Sequence, residues 1–392
     1  MLTSGDNLPS QADIDARARL ILEAHWRTDG YCVPNAGTYP FQWLWDSCFH
    51  AVVWAHLGEG ARAVAEMRHL FRTQDALGFV PHIDYEVAPD HHASLWGRRG
   101  ASSITQPPMF GHALAEMARR GVDPPDDLVE AATRGLWFLL EHRARDPVSA
   151  LVTIVHPWES GCDDSPRWDH WCPGGFEPRR WYRVKGALLA GIERSSVGAP
   201  IANPAFGAAP VGFNALVAFN ARELAGLTGD GALRQAASVL ARAVEARRVA
   251  EIGTWVDGGP AEDTSGRVRT LDALLVSLGG GPDGGDALHQ AVDARHFGGA
   301  CGPAGVHRDD PAFSPSSYWR GPAWPQLTYL LWCAARNTAS PATPTLAAML
   351  VRGATKSGFA EYWQPDSGEA LGARPQSWTA LAVVVRSSAA DA

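Results

Sequence analysis

Between Trp158 and Asp169 the chain holds four carboxylates: Glu159, Asp163, Asp164 and Asp169. They share the segment with Trp158, Trp168 and the small residues Ser160 and Gly161. A carboxyl crowded by another carboxyl and by aromatic surface feels two influences that raise its pKa. Such a group can hold a proton near neutrality and give it up as a general acid. Hydrolysis of a glycosidic bond needs that acid on one side of the bond and an ionised carboxylate on the other, as base or nucleophile. Glu361, in Glu361-Tyr362-Trp363, and Glu369, after Gly368, are the candidates for the second group. Taken singly, Glu361 also reads as a solvated helix end and Glu369 as a turn residue.

Aromatic residues accompany these acids. Of 16 tryptophans, ten fall in four loop regions: Trp43 and Trp45; Trp158, Trp168, Trp171 and Trp181; Trp319 and Trp324; Trp363 and Trp378. Flat rings beside Asp, Gln and Arg suit a sugar, whose faces carry C–H groups and whose edges carry hydroxyls. Asp46 follows Trp43-Leu44-Trp45 at a helix start, where an Asp is commonly a plain N-cap. Gln106 precedes a Pro-Pro step, and Tyr318-Trp319-Arg320 places two rings beside a guanidinium.

Other chemistries fit less well. Asp163, Asp164, Asp169 and His170 resemble a carboxylate metal site, but Pro166 interrupts them and no partner motif follows. His91-His92 lacks zinc-ligand spacing and reads as a loop pair. The glycine-rich run at 279–285 has neither a preceding strand nor a following Lys-Ser/Thr, so a phosphate loop is not expected. No Gly-x-Ser-x-Gly elbow occurs. Six cysteines form no CxxC pair; Cys162 and Cys172 have disulfide spacing, but thiols are expected.

The elements that must position these residues are helical. Ile14, Ala18, Ile21, Leu22 and His25 share one face of a segment capped by Ser10. Helix pairs follow at 46–57 and 61–77, 108–120 and 126–145, 213–227 and 231–249, 267–278 and 286–294, and 321–337 and 343–357, and a last helix covers 376–386. The segments starting at 46, 108, 213, 267, 321 and 376 are the more apolar, whereas those at 61, 126, 231 and 343 carry charged residues on one side. This alternation predicts an all-α fold, an (α/α)6 toroid of six inner and six outer helices. The chain, 1–392, is expected to be one catalytic domain with an irregular active-site loop region at about 146–212. Loops preceding inner helices share one rim, which would gather the tryptophans and acids at one mouth.

Composition sets further bounds. Lys plus Arg number 34 against 42 Asp plus Glu, a net charge of −8, which with no basic run disfavours nucleic acid as a partner. No stretch approaches a membrane span, and Met1 to Ile14 shows no secretory pattern, so a cytoplasmic protein is expected. Nothing in the sequence opposes a homo-oligomer.

Five segments in order resemble the (α/α)6 glycosidases related to mannosylglycerate and glucosylglycerate hydrolases, inverting α-glycosidases in the wider clan that includes processing α-glucosidase I. They are Gln42-Trp43-Leu44-Trp45-Asp46-Ser47; Thr105-Gln106-Pro107-Pro108; Trp158-Glu159-Ser160-Gly161 through Arg167-Trp168-Asp169; Tyr318-Trp319-Arg320-Gly321-Pro322-Ala323-Trp324; and Glu361-Tyr362 through Gln376-Ser377-Trp378. The resemblance implies Asp163 as general acid and Glu361 as general base. It implies that Trp43, Asp46, Gln106, Tyr318, Trp319, Trp324 and Gln376 line the sugar pocket, with Tyr85 beside them. A small carbohydrate is the implied partner, and no metal or organic cofactor is implied.

Two departures from that pattern stand out. Asp164 occupies a position where close relatives are expected to carry an amide, adding charge beside the acid. The segment 183–204 is short and lacks the Arg-Pro-Thr and acidic-Tyr run of the leaving-group side, so the acceptor is not fixed. A catalytically inactive sugar-binding protein and a pathway enzyme acting on a modified or pseudo-sugar are the alternative readings.

Overall fold

The helix Leu44–His56 buries twelve of its thirteen residues, from Leu44 to Ala55. The helix Phe110–Arg119 buries eight of its ten. Gly231–Glu245, by contrast, buries only Leu233, Ala237, Leu240 and Val244, a single stripe at helical spacing. A helix apolar on all sides must be surrounded by others, and a one-striped helix must lie outside. In the computed structural model, which describes residues 8–259 and 267–387, they are arranged in this way.

Among the described residues, six inner segments form a closed ring. Leu44–His56 packs on Phe110–Arg119, which packs on Val211–Thr228, then Leu271–Gly279, then Pro325–Asn337, then the turn Ser377–Leu381, which returns to Leu44–His56. Outside them lie Gln11–His25, Gly60–Phe71, Asp126–Trp137, Gly231–Glu245, Gly284–Val292 and Thr343–Ser357. The fold is the (α/α)6 toroid, with one hydrophobic cluster running through the inner ring. Among the described residues no helix is long and apolar enough to cross a membrane.

Several segments differ from the sequence expectation. The inner segment predicted at 267–278 is a 3-10 helix, Leu271–Gly279, ended by Gly280 at φ +72°. The last inner segment begins as 3-10 at Ser377–Leu381 and becomes α-helical only over Ala382–Ser387. The helix expected over 126–145 is α-helical through Trp137 and finishes in a π turn, Phe138–His142. The region expected to be irregular contains the helix Pro178–Leu188, which Glu177 caps by accepting from the Arg179 and Arg180 N–H groups.

Short antiparallel pairings fasten the rim loops. Gln42–Trp43 pairs with Ile83–Asp84, Gln42 opposite Asp84 and Trp43 opposite Ile83. Tyr362–Trp363 pairs with Ala370–Leu371, and Ala323 bridges to Trp363 through N–H···O bonds of 2.8 and 3.2 Å. Loops distant in sequence are thus held edge to edge around one mouth.

Candidate active site

That mouth opens into a cavity of about 330 Å³, a size suited to a small molecule. Asp163, Glu361, Trp43, Asp46, Tyr85, Gln106, Tyr318, Trp319 and Gln376 all line it. Trp324 does not. It is fully buried behind the wall, stacked on Trp319 with centroids 3.6 Å apart and planes 6° apart, and on Tyr362 at 4.5 Å. The expectation that Trp324 faces the sugar is therefore corrected: it backs Trp319, whose backbone sits at the left-handed φ of +58°. A non-glycine residue in that region is strained, and the strain persists because the surrounding packing fixes it.

Of the four carboxylates between Trp158 and Asp169, three are held by cations. Arg143 grips Glu159 in a two-pronged pair, 2.6 and 2.7 Å, with both side chains fully buried. Lys185 Nζ lies 2.7 Å from Asp164 Oδ1. Arg320 meets both oxygens of Asp169 at 2.8 and 2.7 Å. Only Asp163 faces the cavity with no cation on its oxygens, and Tyr318 Oη donates to its Oδ2 at 3.3 Å.

The loop that carries Asp163 is pinned from both sides. Trp181 Nε1 donates to the Asp163 carbonyl at 3.0 Å, and Trp168 Nε1 to the Cys162 carbonyl at 2.8 Å. Gly161, at φ +71°, lies flat on Trp45, and a Cβ there would come within 2.5 Å of the ring. Hence the Ser-Gly step before the acid: only glycine lets this loop approach the aromatic floor.

Burial raises the pKa of the Asp163 carboxyl to about 7. Lys185 opposes this, while Asp164 and, more weakly, Glu361 reinforce it. The charge of Asp164 is thus met by its own ammonium partner, and burial is the larger cause.

Glu361, a candidate for the second carboxyl that taken singly also read as a solvated helix end, is 3% exposed. Tyr39 Oη donates to its Oε1 at 3.0 Å, and the Ala373 N–H to its Oε2 at 2.9 Å. Burial raises its pKa, and these two donors, which favour the ionised form, hold it back. Gly372 lies against Glu361 Oε2 so closely that a Cβ would stand 2.5 Å away. Glu369 is exposed on the neighbouring hairpin and does not line the cavity.

Asp46 is not the N-cap of its helix, a position held by Trp43. It is 2% exposed, and burial followed by the charge of Glu361 raises its pKa well above the usual carboxylate range. Its Oδ1, Gln376 Oε1 and the indole N–H groups of Trp43 and Trp319 are buried without a protein partner. Two donors and two acceptors set into aromatic walls form a ready partner set for sugar hydroxyls.

Sequence reasoning missed Tyr39, His82, His92, Leu95, Trp96 and Tyr182, which also line the cavity. The aromatic Tyr39-Pro40-Phe41 run just before Trp43 was a usable signal for Tyr39. The other five come from segments whose approach depends on the tertiary fold. All six cysteines are buried, and among the described residues none is joined in a disulfide.

An (α/α)6 toroid with two carboxyls lining one aromatic cavity at the rim of its inner helices defines a class, the toroidal glycoside hydrolases. Within that class the chain belongs to the mannosylglycerate hydrolase MGH1-like glycoside hydrolase family, whose model matches residues 39–379. It is 31% identical to a mannosylglycerate hydrolase of Thermus thermophilus, over 89% of this chain and 95% of that one. It is 29% identical to a glucosylglycerate hydrolase of Mycolicibacterium hassiacum, over 88% and 91%. A solved GH63 mannosylglycerate hydrolase from Thermus thermophilus, in complex with Tris and D-glycerate, superposes with a TM-score of 0.82 at 27% identity. That match covers 95% of this chain and all of the other. The protein is a glycoside hydrolase.

Proposed function

We propose that the protein is an inverting α-glycosidase that removes an α-linked glucose or mannose from a small acceptor. Asp163, its pKa raised to about 7 so that a large fraction keeps its proton near neutrality, gives that proton to the departing oxygen. Glu361 takes a proton from the attacking water on the opposite face of the sugar. One observation carries this reading: two carboxyls from loops almost two hundred residues apart line one cavity, each hydrogen-bonded to its own phenol, Tyr318 and Tyr39.

Similarity to mannosylglycerate and glucosylglycerate hydrolases makes glycosylglycerates and short α-glucosides the first candidates. Trp43, Asp46, Gln106, Trp319 and Gln376 would hold the sugar, rings on its faces and polar atoms on its edge. Inversion requires the two carboxyl groups to stand about 6.5–9.5 Å apart, leaving space for water.

Proton NMR of the first product formed tests the stereochemistry. The β-anomer appearing before mutarotation is expected, and the α-anomer would refute inversion. Glu361→Gln is expected to lower kcat by about 10²–10⁴-fold with the fold intact. A variant retaining wild-type turnover would remove Glu361 from the reaction.

A further inference from the structure

We infer that the leaving-group side of the cavity is built for an uncharged ring, an aryl alcohol or a second sugar, and against a carboxylate such as glycerate. The inference rests on the proposed reading of the site and specifies what is cleaved from the sugar.

Charge is the first ground. Among the described residues no Lys or Arg lines the cavity, whereas Asp46, Asp163 and Glu361 do. The cations that reach the loop carrying Asp163 are each taken: Lys185 by Asp164, Arg320 by Asp169 and Arg143 by Glu159. Arg194 donates to the Ser103 and Gly198 carbonyls at 3.4 Å and does not line the cavity. Of its two histidines, His82 is fully buried and its pKa is lowered to about 3, while His92 is exposed at the mouth, its pKa lowered by partial desolvation and by the neighbouring His91. With Glu361 ionised as the base requires, an anionic acceptor would be stripped of water beside like charge and without a counter-ion.

Shape is the second ground. The outer wall is an aromatic arc in which Trp96 and Trp158 lie 5.9 Å apart and Trp158 and Tyr182 6.4 Å apart. Tyr85, 3% exposed, accepts from Trp96 Nε1 at 3.4 Å and completes the wall. The arc rests on a hydrophobic cluster of its own, Ile83, Ile104, Val155, Leu189 and Ile192, separate from the main core. Tyr182 stands 61% exposed at the mouth on the helix Pro178–Leu188. Flat rings on a stiff base favour a flat apolar face, which an aryl group or a pyranose has and glycerate lacks.

Calorimetry on the full chain carrying Asp163→Asn, which keeps Asp46 and Glu361, tests this without turnover. The probes, each made with glucose and with mannose, are p-nitrophenyl α-glycosides, α-linked disaccharides, α-glycosylglycerols and α-glycosylglycerates. Ring glycosides are expected to bind at least tenfold more tightly than glycosylglycerates, with glycosylglycerols in between. The better of the two ring classes identifies the natural acceptor. Tyr182→Arg, by supplying a cation, is expected to narrow the gap. Glycosylglycerates binding as tightly as the ring glycosides, or no probe binding at all, would overturn the inference. Wild-type assays with the same panel separate it from the proposed function. Ring glycosides bound but not cleaved would sink the acid–base assignment and leave the acceptor preference standing.

Discussion

Replacing Asp163 by Asn should slow catalysis by orders of magnitude and, at the same time, stabilise the protein in a pH-dependent way. A carboxyl raised from an ordinary 3.8 to about 7 binds its proton more tightly in the native state than in the unfolded chain by about 4 kcal/mol. The stability from that tighter binding is whole below about pH 4 and is lost as pH rises through about 7. Between pH 5 and pH 8 the wild-type protein should therefore lose about 3 kcal/mol through this group, and the Asn variant none of it. For 392 residues, an unfolding entropy of about 0.8 kcal/mol/K converts the difference to about 3 °C. Scanning calorimetry of both proteins at pH 5 and pH 8 checks the arithmetic. The variant's Tm relative to wild type should rise by about 3 °C over that interval, while its kcat is lower by about 10²–10⁴-fold. A relative Tm that does not change with pH would show that Asp163 is not held protonated, and the argument for it as the acid would fail.

Two further outcomes follow from the same site. The proposed mechanism needs Glu361 ionised and Asp163 protonated, so kcat/KM should rise through a pKa above the usual carboxylate value and fall near pH 7; a plateau extending to pH 9 would contradict the assignment of the acid. Arg143→Met should destabilise the fold by about 3–5 kcal/mol, because it leaves Glu159 charged and fully buried, and a Tm within about 1 °C of wild type would show that the pair is not needed.

The inner and outer helices were legible because burial on all sides and burial along one stripe leave different apolar spacings, as in Leu44–His56 and Gly231–Glu245. The 3-10 form of Leu271–Gly279 was not, since a fully apolar segment looks alike in either helix type. Trp324 was misread because a motif records residue type and position but not which side of a loop a ring occupies. Stacked on Trp319, it supports the cavity wall from behind. Glu361 carried no sign of its burial, which comes from the rim pairings and the packing of Gly372 against it.

The sequence by itself determined the helical toroid and the clustering of aromatic rings with acids in loops before inner helices, which follow from periodicity and residue chemistry, both local properties. The choice of Asp163 and Glu361 among those acids came from the resemblance of the loops to a known family. Only the tertiary structure decided which carboxyls are free to react. Arg143, Lys185 and Arg320 reach Glu159, Asp164 and Asp169 from separate places in the chain, and Asp163 alone of the four is left facing the cavity. Whether a charge is neutralised or exposed to substrate depends on separations of a few ångströms between residues far apart in sequence, and no spacing along the chain encodes that.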